Sequence, residues 1–177
     1  MVLLLLVLLS LGLGGVHYWR VNSRRAAADA VVAAAHAAVV KELREAVLKL
    51  KSALGQDLRP SDFGPLRQEV SSGFAKHGKE FRSLPSFQRL ETSADAAAFF
   101  WQLESQIAQS AGTDAPLDHP PSEEYLNMAS HLGRTPRHWS YDDGAKSVEL
   151  WTGPTFFRKL GFSRTADACD QLLQELQ

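Results

Sequence analysis

The sequence predicts a mainly α-helical protein with an N-terminal transmembrane helix, a long amphipathic helix and a small helical C-terminal domain carrying one β-hairpin. Three observations lead there. The first nineteen of 177 residues contain no charged side chain, and Arg20, Arg24 and Arg25 follow at once. A proline-free stretch rich in Ala, Leu and Val then runs to Leu54. Beyond it, apolar residues recur at helical spacing between Ser, Asp, Gly and Pro boundary signals, and alternate strictly only near 138–151.

As a helix, residues 2–19 would extend about 27 Å at ~1.5 Å per residue, close to the thickness of a hydrocarbon core. Tyr18 and Trp19 end the stretch, where amphipathic rings favour the headgroup layer, and the arginines supply cations for anionic lipid. The expected reading is an uncleaved anchor at 1–19, with membrane lipid as its partner through residues 2–19. The alternatives are a secretory signal with Gly12 or Gly14 near the cleavage site, although such signals carry their basic residues before the apolar run, and a mitochondrial presequence or a buried core helix. Basic residues beside a span stay on the cytoplasmic side, so a single-pass protein with a cytoplasmic C-terminal domain is expected. The lone Cys169 and the lack of any Asn-x-Ser/Thr acceptor agree with that side. Cleavage would instead make the chain secreted or periplasmic.

The net charge of −1 conceals a gradient. Residues 1–54 carry seven Lys/Arg against three Asp/Glu, residues 55–113 six against seven, and residues 114–177 six against ten. The basic end is the end directed at the membrane. No cluster of Lys/Arg interleaved with stacking aromatics occurs in the C-terminal part, so no nucleic-acid partner is expected.

Residues 20–54 form the basic juxtamembrane helix. Val40, Leu43, Val47, Leu50 and Leu54 step by three and four along one face, with Lys41, Glu42, Arg44, Glu45, Lys49 and Lys51 mostly elsewhere. This face needs cover, from the chain's own domain, from a second copy or from a partner helix. In outline, an apolar start running into a long helix resembles type IV pilins and pseudopilins. The chain lacks their Phe-initiated segment with Glu five residues in, and Arg20, Arg24 and Arg25 sit where that helix stays apolar. No family is assigned.

Residues 55–60 read as a linker and 61–177 as the helical domain. Ser61 or Asp62 is the expected cap of a helix with Leu66, Val70 and Phe74 inside, Pro65 in its first turn and Gly78 at its end. Phe81, Leu84, Phe87 and Leu90 recur every third residue around Pro85 and read as an irregular helical turn. Ser93 is then expected to cap the central core helix through Ala96, Phe99, Phe100, Leu103 and Ile107, ended by Gly112. After a proline-rich loop, Ser122 caps a short helix with Glu123 and Glu124 in its first turn. Trp139 and Tyr141 alternate before Asp143-Gly144, and Val148 and Leu150 after it, which predicts a hairpin near 138–151. Residues 154–160 make a helical turn stopped by Gly161, and Thr165 caps a terminal helix with Ala166, Cys169, Leu173 and Leu176 on its face.

No chemical constellation emerges from these residues. Cys169 with His119, His131 or His138 has no thiolate-activating surroundings in sequence, and Asp118 with the same histidines matches no metal-ligand spacing. Asp142 and Asp143 precede Gly144, where Asp serves a turn. No catalytic, cofactor-binding or metal residues are assigned, and no small-molecule ligand is indicated. Six aromatics, Trp139, Tyr141, Trp151, Phe156, Phe157 and Phe162, are interleaved with Arg137, Arg158 and Arg164. Aromatic and Arg side chains anchor interfaces, so Trp101, Trp139, Trp151, Phe157 and Arg158 are the candidate anchors beside the face Val40–Leu43–Val47–Leu50–Leu54. The expected function is a membrane-anchored, non-catalytic interaction or assembly factor with a protein partner or self-association. A secreted or envelope-exported binding or immunity-type protein, and an exported enzyme of unrecognised type, are the alternatives.

Overall fold

A computed structural model describes the backbone of residues 2–56, 58–111, 116–142 and 147–177. It describes the side chains of residues 22–56, 58, 59, 61–108, 116–140, 142 and 147–177. In order the elements are α1 (Val2–Leu54), α2 (Pro60–Lys76), α3 (Lys79–Arg82), α4 (Pro85–Ala111), α5 (Glu123–His131), β1 (His138–Asp142), β2 (Ser147–Trp151) and α6 (Pro154–Glu175). The protein is mainly helical with one small antiparallel sheet. It divides into two compact units, Met1–Lys41 and Glu42–Gln177.

The first unit is helical from Val2. Side chains 22–38 are all exposed, including Arg24, Arg25 and the paired Val31 and Val32, each 69% exposed. Among the described residues no helix is long and apolar enough to cross a membrane. The stretch 1–19, with Tyr18, Trp19 and the following Arg20, lies outside the residues whose side chains are described.

In the second unit, which begins at Glu42, the end of α1 packs with the helices that follow the linker expected at 55–60. Leu43, Val47 and Leu50 have no exposed surface. Arg44 donates to the α6 carbonyls of Leu173 (2.8 Å) and Leu176 (3.4 Å), where the helix dipole favours a cation. Lys49 pairs with Glu69 of α2, and Lys51 with Asp170 of α6. Glu42 receives Lys76 at 2.9 Å and His77 at 3.2 Å. The Lys76 hydrogen bond holds the Glu42 carboxyl below its ordinary range, with Lys76's charge and His77 adding to it.

α2 starts at Pro60, ahead of the expected cap. Proline suits the first helical turn, because its missing N–H would have no intrahelical acceptor there. Asp62 accepts from Arg59 at 2.8 Å instead of capping. Pro65 consequently lies inside the helix. Phe63, Val70 and Phe74 are buried, and Phe74 stacks on Phe87 with centroids 4.2 Å apart and rings 7° from parallel. Packing of this kind adds about 0.5–1.5 kcal/mol beyond burial.

Helices α4 and α6 pack along their lengths, and both are longer than their boundary signals suggest. Pro85 opens α4, so of the residues read as an irregular turn Phe87 and Leu90 belong to one 27-residue helix, while Phe81 lies on α3 and Leu84 between the two. Phe87 and Leu90 are buried on it. Ser93 is not a cap: its hydroxyl donates to the carbonyl of Arg89 (2.8 Å) inside the helix, and Leu90's lies 3.2 Å away. Likewise α6 runs through Gly161 and Thr165 without a break over 22 residues. Phe157, Gly161, Thr165, Ala168 and Leu172 form its buried stripe, spaced by four, four, three and four. The expected face holds at Cys169 and Leu176, which are buried, and shifts elsewhere: Leu172 is buried while Ala166 and Leu173 are half-buried.

The Ser122 hydroxyl caps α5 as expected, accepting from Tyr125 N–H at 3.2 Å. In the hairpin, His138 pairs with Trp151, Trp139 with Leu150 and Ser140 with Glu149. Residues 143–146, which include the expected turn, lie outside the described residues. Leu117 bonds the outer edge of Trp151 in both directions, at 3.1 and 2.9 Å. A core of Ala96, Phe100, Leu117, Tyr125, Ala129, Leu132 and Phe157 ties the proline-rich loop, α5 and the hairpin to the α4–α6 pair.

Candidate functional site

The aromatic and arginine anchors expected from sequence separate into three environments. Phe157 is fully buried, stacked on Phe100 at 4.9 Å and edge-on to Tyr125 at 5.6 Å. Trp151 packs against the same core, and its indole N–H is buried with no acceptor among the described residues. Phe157 is thus a core residue, and Trp151 is half-buried against that core, so neither stands free at the surface.

Trp101 and Arg158 meet in a second place. Trp101 lies edge-on to Phe162 at 5.0 Å and tilted against Phe63 at 6.1 Å. The Arg158 guanidinium carbon sits 5.5 Å from the Trp101 centroid and 5.8 Å from that of Phe162. Its charge is met by Glu104, which is only 8% exposed. Arg158 Nε faces Glu104 Oε2 as an ion pair. Oε1 accepts from Arg158 Nη2 at 3.3 Å and from the Thr155 hydroxyl at 2.9 Å. The geometry braces α4 to α6 beside an aromatic wall, and leaves little of either charge for a partner. Glu104 was not singled out from sequence, since a lone Glu on a helix ordinarily reads as a solvated position.

Only Trp139 of the five anchors stays at the surface, 43% exposed opposite half-buried Leu150. Phe156 joins it there at 51% exposed, adjacent to buried Phe157. On the α1 stripe, Val40 and Leu54 are half-buried while Leu43, Val47 and Leu50 are covered within the second unit itself. The covering residues include Gly73 of α2, whose missing side chain admits Leu43 Cδ2 to 3.3 Å from where a Cβ would stand. The central part of that face is therefore internal packing.

The polar candidates do not converge. Cys169 has no exposed surface, and burial pushes its thiol up to about 12, with the Asp170 charge adding to the shift and Lys51 opposing it. A thiol so held stays protonated at neutral pH and is a poor nucleophile. His119, His131, His138 and Asp118 are exposed, and His138 lies 3.6 Å from Glu149 across the hairpin. Asp142 is exposed, and Asp143 lies outside the described residues. Among the described residues no group of three His, Cys, Asp or Glu side chains is placed to hold a metal ion.

What the fold does gather is a basic surface on either side of Gly133, which follows α5 with φ +67°. An open depression of about 650 Å³ is lined by Gly133, Arg134, Thr135, Arg137, Thr152 and Phe156. The backbone there is pinned: Arg137 N–H donates to Thr152 Oγ1 at 2.8 Å, and Thr152 N–H to Arg137 O at 3.0 Å. Thr152 O in turn accepts the Tyr125 hydroxyl at 2.5 Å. A neighbouring depression of about 500 Å³ also includes Gly133 and brings in Arg89, His131 and Arg164, balanced by Asp167 and Asp170. Local sequence patterns did not reveal this grouping, because it joins the loop after α5 to the start of α6.

No family model, curated protein or solved structure matches this chain.

Proposed function

We propose that the protein is a membrane-anchored interaction or assembly factor: residues 2–19 insert in the bilayer and the helical domain engages another protein. The observation that carries this reading is the character of the first unit. It is helical from Val2, and its apolar start, uncharged through residue 19, is followed by side chains 22–38 that are all exposed. A helix with no apolar cover along this length gains nothing from core burial, which supplies most helical stability in water. Insertion of its start removes that difficulty, since a bilayer rewards internally satisfied backbone hydrogen bonds. Arg20, Arg24 and Arg25 then stand at the headgroup level and favour a cytoplasmic domain.

Protein engagement is supported by Val31 and Val32 on that helix and by Trp139 and Phe156 on the second unit, all exposed large apolar side chains. Deletion of residues 2–19 tests the anchor. The full chain is expected in the membrane fraction after a high-salt wash, and the shortened chain in the supernatant. If both sediment alike, the anchor reading is lost. Neutral replacements at Arg20, Arg24 and Arg25 are expected to scramble the orientation seen by protease protection, and an unchanged orientation removes those charges as its cause.

A further inference from the structure

The depression lined by Arg134, Arg137, Thr135, Thr152 and Phe156 has a chemistry that interaction through apolar anchors does not use. Residues 114–177 are acidic overall, with ten Asp/Glu against six Lys/Arg. Yet no acidic residue lines this depression. Neither Arg134 nor Arg137 is engaged in an ion pair among the described residues, whereas Arg44, Arg59, Arg67 and Arg158 each bind a carboxylate or helix-end carbonyls. Two guanidiniums without counter-charge at the edge of one hollow supply positive charge to an anion that enters it.

The remaining lining residues narrow the anion. Thr135 is an exposed residue of the lining that carries a hydroxyl, and Thr152 is held in place by its bonds to Arg137. Phe156, which lines the depression, lies in the first turn of α6, a turn with no acidic residue. Guanidinium forks and a hydroxyl match a tetrahedral oxyanion, and planar bidentate pairing is the strength of Arg over Lys. Phe156, 51% exposed at the same wall, presents a ring that water alone would disfavour. A hollow of about 650 Å³ falls within the size range of small-molecule sites.

We infer that this depression is a binding site for a phosphate monoester, with Arg134 and Arg137 taking the phosphate and Phe156 the adjoining organic group. A soluble metabolite and a phosphatidic-acid headgroup share that chemistry. The inference does not depend on the anchor or on a protein partner.

The test uses the full chain purified in neutral detergent and titrated calorimetrically with inorganic phosphate, then with phenyl phosphate. Phenyl phosphate is expected to bind more tightly than inorganic phosphate. Arg134→Gln and Arg137→Gln are each expected to weaken both by about tenfold or more, as for loss of one charge-assisted hydrogen-bond partner. Phe156→Ala should bring phenyl phosphate down to the level of inorganic phosphate. Arg164→Gln, in the neighbouring depression, carries the same charge change and should leave both unchanged. All four positions are partly or fully exposed, so the far-ultraviolet spectrum and melting temperature should match the parent. Mixed micelles containing short-chain phosphatidic acid separate the sources: tighter binding than phenyl phosphate assigns the headgroup, and equal or weaker binding assigns the soluble ester. No binding of either probe overturns the inference, as does an Arg164→Gln loss equal to that of Arg134→Gln, which would reduce the effect to net charge.

Discussion

Gly161 of α6 lies against Ala97 of α4 so closely that a Cβ on the glycine would stand 2.8 Å from the Ala97 Cβ and 2.9 Å from its Cα. The two backbones approach here as only a residue without a side chain allows. One turn away on each helix, the Thr165 hydroxyl stands 3.2 Å from that of Ser93 and 2.8 Å from the carbonyl of Gly161. Small residues set the helix separation, and the close approach brings the Ser93 oxygen within reach of the Thr165 hydroxyl, whose one proton it shares with the Gly161 carbonyl.

Gly161→Ala is expected to destabilise the protein even though alanine is ordinarily the better helix former by about 1 kcal/mol. Overpacking costs about 1–3 kcal/mol, and the obstructing atoms include Ala97 backbone, which cannot rotate aside. With a backbone obstruction the cost falls in the upper part of that range, so the net loss should reach up to about 2 kcal/mol by chemical denaturation. Gly73→Ala is the contrast, because its Cβ would meet only the flexible end of Leu43 at 3.3 Å. It should be neutral or stabilising by up to about 1 kcal/mol. Equal effects at the two positions would contradict the packing described.

Arg158→Met should lower stability by about 3 kcal/mol, since it strands the Glu104 carboxylate, 8% exposed, with the Thr155 hydroxyl as its remaining partner. Glu104→Leu combined with Arg158→Met should recover most of that loss, because the charge that needed a partner is then gone. A double-mutant cycle by urea unfolding reads the coupling. Additive losses would show that the pair does not brace α4 against α6.

Leu43→Ala and Leu50→Ala should each cost about 2–5 kcal/mol, the range for emptying a fully buried aliphatic position. Leu48→Ala on the same helix should change little, as its side chain is 48% exposed. Thermal unfolding followed by circular dichroism separates them. Similar small effects at all three would mean that residues 42–54 form a solvated spacer outside the domain.

Cys169 supplies a pH dependence whose sign is fixed. Its thiol ionises near the ordinary 9.0 when the chain is unfolded and is pushed up to about 12 by burial in the fold. The native state therefore binds the proton more tightly, and its contribution to stability is complete below pH 9 and lost as pH rises from there through 12. Cys169→Ala should flatten the decline in that window. In the native protein at pH 8, iodoacetamide should label Cys169 only at the rate of unfolding, and rapid labelling would show the thiol to be accessible.

Local chemistry in the sequence was enough to determine the mainly helical class, the Ser122 cap of α5, the existence of a hairpin near 138–151, and the apolar period at Leu43, Val47 and Leu50. Each of these rests on neighbours within a few positions, where hydrogen bonding and periodicity are nearly self-contained. Tertiary structure alone decided what Ser93, Gly161 and Thr165 do. The same residue types end helices or let two helices touch, and nothing within four residues of Gly161 announces that Ala97 lies opposite. It also decided that the stripe at Leu43, Val47 and Leu50 is covered from within, that Arg158 has Glu104, and that Arg134 and Arg137 share a hollow with Phe156. The partners in these cases come from elements distant in sequence, so burial and charge balance at such positions are properties of the assembled chain.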